Sequence, residues 1–178
     1  MAQNPGSPSP VLPSRPEAAP ALRACLFALA GSRFAVDVRS AREVAVFDDI
    51  TGVPRAPRHL IGIANLRGTV MPIVDVRDVL GLPESRPARS VRTLVLRDGP
   101  LQAAVVVDTV LGLEPFDEVL PPDAPSAARI RGPRAFVSGW LEWAGETLAL
   151  LDVPRVLAAL RVGTPGGSPE SPAHGEPA

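Results

Sequence analysis

The sequence predicts a mainly β protein of two small barrels packed side by side, related by an internal repeat and carrying short helices. The first observation is a block of about twenty residues that occurs twice, at 61–81 and again at 138–158. Equivalent positions such as Gly62 and Gly139 are 77 residues apart (139 − 62). A repeat of this size indicates one supersecondary unit built twice. The second observation is that strand-type patterns dominate the rest of the chain.

Two hairpins precede the two copies of the block. Each consists of two apolar runs rich in β-type residues around a short glycine-containing turn, which is the pattern of a β-hairpin. Each hairpin is followed by a short segment, a proline-rich connection and one copy of the block. The predicted strands are 24–29 and 33–38 in the first hairpin and 91–96 and 101–108 in the second, and the segments that follow are 39–47 and 109–116.

Continuous apolar runs at 73–74 and 105–107 predict strands that are buried on both faces, as in a small barrel. Pro72 has no N–H to donate, so its strand is predicted to lie at a sheet edge or to carry a bulge there. In each block an Asp precedes apolar residues spaced three and four apart. This pattern predicts short helices at 75–80 and 152–160, N-capped by Asp75 and Asp152.

Glycines recur at the same places in both blocks, which favours structural roles for them. Gly62, Gly68, Gly139 and Gly145 are predicted to form turns or to allow close backbone packing.

The ends of the chain differ in composition from its middle. Residues 1–20 and 163–178 are rich in Pro, Gly, Ser and Ala, and they are predicted to be disordered tails. A single domain is predicted at 21–162, with repeat halves at about 24–85 and 90–160.

The charge pattern argues against several classes of partner. The formal net charge is −1, and the basic residues, all Arg, are dispersed among acidic ones, so no nucleic acid partner is expected. No apolar run approaches the ~18 residues of a membrane span, so no direct membrane insertion is expected. The one cysteine, Cys25, cannot form an internal disulfide, which suits a cytoplasmic location.

The residue inventory for catalysis is thin. There are two histidines, no His, Cys or carboxylate pair has metal-ligand spacing, and neither a phosphate-binding loop nor a nucleophile elbow occurs. We therefore expect a protein that is not an enzyme, has no metal or cofactor, and works by presenting surfaces.

Two strings in the first half, AREV at 41–44 and VPRAPRHLIGIANLRGTVMPIVDVRDVLGL at 53–82, resemble the CheW-like domain family. The VVD motif within 105–108 and the stretch 148–157 match its second half, so the resemblance covers 24–160. It implies two SH3-like five-stranded β-barrel subdomains. It also implies a non-catalytic adaptor that couples methyl-accepting chemoreceptors to a CheA-type histidine kinase.

The partners implied by the resemblance are the cytoplasmic tip of the receptor, the regulatory domain of the kinase, and other CheW-like domains. The implied location is the cytoplasm, with recruitment to membrane receptor arrays. Glu43 and Arg67 are implied to lie close together and to take part in receptor coupling; the alternative is a structural ion pair that fixes a loop. Asn65 is expected to satisfy turn backbone groups, or else to contact a partner.

Apolar residues near these positions are candidates for the receptor-binding region, although any of them could instead belong to the core. They are Val36, Val38, Val44, Leu66 and Val70. Trp140 and Trp143 have no counterpart in the first block; they could anchor an interface or cover a barrel end.

The second half departs from the family pattern. Gly112 aligns with Glu43, and residues 115–133 are rich in proline. An alternative function is therefore that of a paralogue that binds receptor but has lost or altered kinase binding. A further alternative is a stand-alone SH3-like peptide-binding module, which the low aromatic content of 4% disfavours.

Overall fold

The computed structural model describes residues 20–84, 90–125 and 134–161. The predicted disordered tails lie outside the described residues, apart from Pro20. Within the described residues, ten strands, a short 3-10 turn at Arg134–Phe136 and one α-helix form. The elements are β1 (Leu22–Leu29), β2 (Ser32–Asp37), β3 (Ala41–Phe47), β4 (Leu60–Leu66), β5 (Thr69–Val74), β6 (Val91–Asp98), β7 (Leu101–Val106), β8 (Thr109–Phe116), β9 (Val137–Trp143), β10 (Glu146–Leu151) and α1 (Val153–Arg161).

The strands form two five-stranded sheets whose strand orders are related by the repeat. Sheet A has the order β8-β1-β2-β10-β9, and sheet B has the order β3-β6-β7-β5-β4. Replacing each strand by its counterpart five places along the chain converts one order into the other. The predicted pair of five-stranded barrels is thus confirmed. However, each sheet takes a hairpin from one half of the chain and three strands from the other half, so the repeat halves and the barrels do not coincide.

Equivalent bulges show how the two halves align. Leu26 lies opposite Gly112 in sheet A and Val95 lies opposite Glu43 in sheet B, each next to a register shift. Equivalent residues at these bulges are 69 positions apart in the sequence (112 − 43 and 95 − 26), whereas equivalent residues of the repeated blocks are 77 positions apart. The second half therefore has eight more residues (77 − 69) in the connection before β9.

Three apolar cores hold the two sheets. One, the shared core, lies between the sheets and α1 and includes Phe27, Val36, Leu94 and Trp140. A second lies inside sheet B and a third inside sheet A. Residues 103–106 of β7 are all buried and alternate between the shared core and the core of sheet B. The prediction that this strand is buried on both faces is confirmed.

Pro72 is not at a sheet edge, contrary to the prediction. Its strand, β5, lies between β4 and β7. The proline is tolerated because the parallel pairing with β7 begins only at Ile73. The register shift in this part of the sheet lies in β4, between Leu60 and Gly62, rather than at Pro72.

The helix predicted at 152–160 is present as α1, but the helix predicted at 75–80 is not. There the chain makes a turn in which the Leu80 N–H donates to the Val76 carbonyl at 2.8 Å. Gly81, with φ of +62°, then turns the backbone away. In the second copy Ala158 and further helix-forming residues follow instead of Gly81, and the helix continues.

Candidate partner-binding surface

The β4–β5 turn holds the side chains that the sequence points to. Arg67 and Gly68 both have left-handed backbone conformations, with φ of +52° and +88°. Positive φ at both central residues defines the tight hairpin turn that matches strand twist. The Asn65 side-chain oxygen accepts the Gly68 N–H at 2.7 Å. Asn65 therefore satisfies the turn backbone, while an arginine occupies a position that sterically suits glycine or asparagine.

Arg67 and Glu43 meet at the seam of sheet B, where its two edges come together. Glu43 is on β3 and Arg67 is in the turn that follows β4; these strands are the two edges of the sheet, and its curl brings Arg67 Nη2 to 2.9 Å from Glu43 Oε2. The Arg67 side chain is 80% exposed and that of Glu43 30% exposed. An ion pair this open contributes at most about 1 kcal/mol to stability. Its arginine remains accessible to a partner.

Exposed valines neighbour these residues in the sequence, although Glu43 lies on the same face of β3 as Ala45 and therefore on the face opposite Val44 and Val46. Val44 follows Glu43 and is 48% exposed, Val46 is 54% exposed, and Val70, opposite Asn65, is 65% exposed. On β3 they alternate with the buried Ala45 and Phe47, so they lie on the outer face. We call the set Glu43, Val44, Val46, Asn65, Arg67 and Val70 the seam surface. It combines apolar side chains with a charged pair.

The other predicted apolar contacts are less accessible. Val36 is fully buried in the shared core, so its predicted contact with a partner is corrected to a packing role. Val38 is half-buried where the chain passes from sheet A to sheet B. Leu66 is half-buried against the core of sheet B.

The equivalent place in sheet A carries different chemistry. Ala144 and Gly145 form its turn, and Gly112 stands at the position of Glu43. Arg33 instead pairs with Glu146 at 2.5 Å and lies 5.8 Å above the ring centroid of Trp143. The charged seam is thus a property of sheet B.

Trp140 is 2% exposed, and its ring N–H donates to the Pro122 carbonyl at 3.1 Å. It therefore packs into the core beneath the segment that contains Pro122 rather than anchoring an exposed interface.

The glycines and acidic caps divide into distinct structural roles. Gly62 and Gly139 lie where the backbone of another segment approaches closely, and Gly68 and Gly145 form turns. The Asp152 carboxylate accepts the Arg155 N–H at 3.1 Å at the start of α1, as an N-cap does. Asp75 instead accepts the Arg77 N–H at 2.9 Å within a turn.

Sequence reasoning missed a buried charge cluster. Arg77 is 5% exposed, and its guanidinium pairs with Asp75 at 2.7 Å and with Asp108 at 2.6 Å. The signal was present in the spacing of Asp75 and Arg77 and in the VVD motif, but an arginine is ordinarily expected at the surface.

Sequence reasoning also missed an apolar cleft of about 570 Å³ beside the end of α1. None of the predicted partner-binding residues lines it. Its walls include Val53, Pro57, Leu60, Pro72, Leu157 and Leu160.

The titratable groups provide no arrangement for metal binding: in the described ranges, no three His, Cys, Asp or Glu side chains could hold an ion. Hydrogen bonds from Arg39 hold the pKa of Asp37 below its ordinary value. Burial raises the pKa of the Cys25 thiol. No helix among the described residues has the length and apolar character needed to cross a membrane.

Two curled five-stranded sheets with exchanged hairpins, one short helix and a charged seam define a protein of the paired SH3-like β-barrel class. The model of the CheW-like domain matches residues 23–161. The chain belongs to the CheW-like domain family.

Named relatives agree with this assignment. A probable chemotaxis protein CheW of Rhizobium etli is 30% identical over 97 residues, covering 54% of this chain and 63% of the relative. Chemotaxis protein CheW of Rhizobium meliloti is 28% identical over 131 residues, covering 73% and 83%. The matched part thus spans somewhat less than two thirds of the first relative.

A solved structure shares the fold. The scaffolding protein TtCheW of Thermoanaerobacter tengcongensis superposes with a TM-score of 0.65 at 25% identity. The match covers 75% of this chain and 89% of that one.

Proposed function

We propose that this chain is a non-catalytic adaptor that couples methyl-accepting chemoreceptors to a CheA-type histidine kinase. Membership of the CheW-like family supports the class of function, and the TtCheW structure carries the description of a scaffolding protein. The observation that carries the proposal is the Glu43–Arg67 pair across the seam of sheet B. The protein acts in the cytoplasm and is recruited to receptor arrays by its partners.

The chemistry of the seam surface suits an amphipathic helix. Such helices bind by placing apolar side chains on a complementary surface while charges fix the register. Val44, Val46 and Val70 supply exposed apolar area, and Arg67 supplies an exposed cation at the β4–β5 turn. The receptor tip is a helical hairpin in the family that this chain resembles. We assign the tip to the seam surface, and the kinase regulatory domain and other CheW-like domains to surfaces elsewhere.

Arg67 occupies a costly position for a side chain. A left-handed conformation costs a residue other than glycine about 1–2 kcal/mol, and the exposed ion pair returns at most about 1 kcal/mol. Ala144, at the equivalent turn of sheet A, has the same conformation with φ of +51°, so a side chain at this place does not by itself require a partner. What distinguishes Arg67 is its exposed charge, which contacts the partner in this proposal.

Co-sedimentation with receptor signalling fragments tests the proposal. Wild-type protein should sediment with receptor in the absence of kinase. Kinase should enter the receptor pellet only when the protein is added. Arg67→Ala should reduce capture by receptor at least tenfold. The matched control is Arg33→Ala, which removes the exposed Arg33–Glu146 pair on sheet A and should leave capture unchanged.

A cleft variant separates the two apolar sites. If Val53→Ser abolishes capture while Arg67→Ala does not, the receptor binds in the cleft and the assignment to the seam surface is wrong. If the wild type fails to sediment with receptor and fails to recruit kinase, the adaptor function itself is wrong.

A second candidate function is that of a paralogue with altered kinase binding. The observation that favours it is Gly112, which replaces the acidic counterpart at a bulge of β8 and has φ of +150°, next to the exposed Leu111 and Leu113. Titration with the isolated kinase regulatory domain distinguishes the two: micromolar affinity supports the coupling adaptor, and no measurable binding supports the paralogue.

A further inference from the structure

The chain crosses between the two sheets at two equivalent places. Residues 38–40 lead from β2 of sheet A to β3 of sheet B, and residues 107–108 lead from β7 of sheet B to β8 of sheet A. Both crossings begin with the same backbone hydrogen bond. The Val38 N–H donates to the Arg23 carbonyl at 2.9 Å, and the Val107 N–H donates to the Arg92 carbonyl at 3.0 Å. The two crossings thus have the same backbone arrangement.

The side chains at the two crossings differ. At the first, Arg39 is exposed and binds only the nearby Asp37 among the contacts described for it. At the second, the equivalent residue is Asp108, and its two carboxylate oxygens have partners in different sheets. Oδ2 accepts a hydrogen bond from the Ala30 N–H of the β1–β2 turn at 2.6 Å, and Oδ1 accepts one from Arg77 Nη2 at 2.6 Å.

Arg77 connects Asp108 to the sheet B side, and we call the set Asp75, Arg77 and Asp108 the bridge. It lies just after β5, its side chain is 6% exposed, and its Nη1 donates to Asp75 at 2.7 Å. A buried guanidinium needs such partners because an unpaired buried charge is costly. Its counterpart in the second half is Pro154, which has no charge to offer. The bridge therefore ties only one of the two equivalent crossings.

The sheets also meet in the apolar shared core and through Arg92 of β6, whose Nη1 donates to the Asp108 carbonyl at 3.1 Å and to the Thr109 hydroxyl of β8 at 3.4 Å. Apolar burial is non-directional, so it holds the sheets together without selecting one rotation of sheet A against sheet B. Charge-assisted hydrogen bonds are directional and short. Through Asp108 they connect a hairpin turn of sheet A to a segment of sheet B.

We infer that the Asp75–Arg77–Asp108 bridge is an inter-sheet latch that fixes the mutual orientation of sheets A and B. Opening the latch lets the sheets move against each other about the shared core. This goes beyond the adaptor function, since it concerns the internal geometry of the protein and requires no partner.

Distance measurements between spin labels test the latch. Labels are placed at cysteines introduced at Val46 on sheet B and Glu142 on sheet A, both exposed, in a Cys25→Ala background. Asp108→Asn and Arg77→Met should each broaden the distance distribution at least twofold. The double variant should broaden it no further, because both changes open the same latch. Glu146→Gln is the control: it breaks the Arg33 pair within sheet A and should leave the distribution unchanged.

Asp108→Asn keeps the test valid if Arg77→Met fails to fold, since the Asp108 side chain is 45% exposed and its shape is retained. A folded Asp108→Asn protein with the wild-type distance distribution overturns the latch. Broadening of equal size in Glu146→Gln also overturns it, because the effect would then not depend on the bridge.

Discussion

Gly62 and Gly139 occupy equivalent positions in the two sheets, and at both a Cβ atom would collide with a neighbouring backbone. A Cβ on Gly62 would lie 2.5 Å from the Thr51 carbonyl oxygen, and one on Gly139 would lie 2.8 Å from that of Leu120. The neighbouring backbones are held there by paired hydrogen bonds, between Thr51 and Ile63 and between Leu120 and Trp140, all of 2.9 Å. These two contacts close the barrels.

Alanine at either glycine should therefore destabilise the protein. We expect Gly62→Ala and Gly139→Ala each to lower the free energy of unfolding by about 2–3 kcal/mol, the cost of overpacking against backbone that cannot move freely. Gly52→Ala is the control, because nothing lies within 4 Å of its added Cβ, and it should change stability by less than about 0.5 kcal/mol. Urea unfolding measures all three. Equal effects at Gly52 and Gly62 would contradict the steric explanation.

Replacing Arg67 by glycine should separate folding from binding. Glycine removes the penalty of the left-handed backbone while the exposed ion pair is lost, so the stability should change by less than about 1 kcal/mol. Gly68→Ala, which forces a side chain onto φ of +88°, should destabilise by about 1 kcal/mol or more. Denaturant titration of both variants measures this. A loss of several kcal/mol in Arg67→Gly would show that the pair is structural.

The two equivalent aspartates should respond differently to alanine. Asp152→Ala removes a helix N-cap and should cost about 1 kcal/mol. Asp75→Ala removes a partner of the buried Arg77 and should cost about 1.5–3 kcal/mol, the range for hydrogen bonds to charged groups. Thermal and urea unfolding of the two variants, side by side, provide the measurement. Equal losses would contradict the difference in role.

Asp37 should make stability depend on pH in the acid range. Hydrogen bonds from Arg39 lower its pKa in the folded protein below the ordinary 3.8, so the folded state favours the ionised form. The resulting stabilisation is present above the unfolded pKa and is lost as the pH falls through the folded one. Asp37→Asn should therefore be less stable than wild type well above the unfolded pKa, and the difference should shrink as the pH falls through the lowered folded pKa. A constant difference across this range would exclude Asp37 as the source.

Cys25 should be unreactive in the native protein. It is 3% exposed, and burial raises the pKa of its thiol, so little thiolate is present and reagents cannot reach it. We expect modification by a thiol-specific chromogenic reagent to proceed only through unfolding, with a rate that rises as urea approaches the unfolding midpoint. Fast modification in buffer alone would show that β1 opens locally.

Much of the fold follows from the sequence because hairpins and turns are local. The runs on either side of Ala30-Gly31 and the glycine-centred turn after Leu66 predict strands within a few residues of those observed. The pairing of Glu43 with Arg67 also agrees with the implied proximity. Which hairpin joins which sheet is not local. An apolar strand such as β7 has the same pattern whether its neighbours come from its own half or from the other, so the exchange could not be predicted.

The features that the sequence did not predict correctly have physical explanations. Arg77 is not singled out by the sequence because arginine usually lies at the surface, and only the meeting of Asp75 and Asp108 in three dimensions makes its burial possible. Pro72 fits an interior strand because the neighbouring ladder starts one residue later. Val36 lies in β2, where Phe34, Ala35 and Val36 are all buried, because the shared core covers one face of the strand and the core of sheet A covers the other.

The exchange of hairpins between the sheets has a consequence for how such a chain could arise. A single copy of the repeat contributes three strands to one sheet and places its hairpin in the other, so in this arrangement one copy does not complete a barrel. Two identical copies that traded hairpins would complete both barrels. The present chain has the architecture of a domain-swapped homodimer whose two subunits are joined covalently, and whose halves, once joined, were free to diverge into one side with a charged seam and one without.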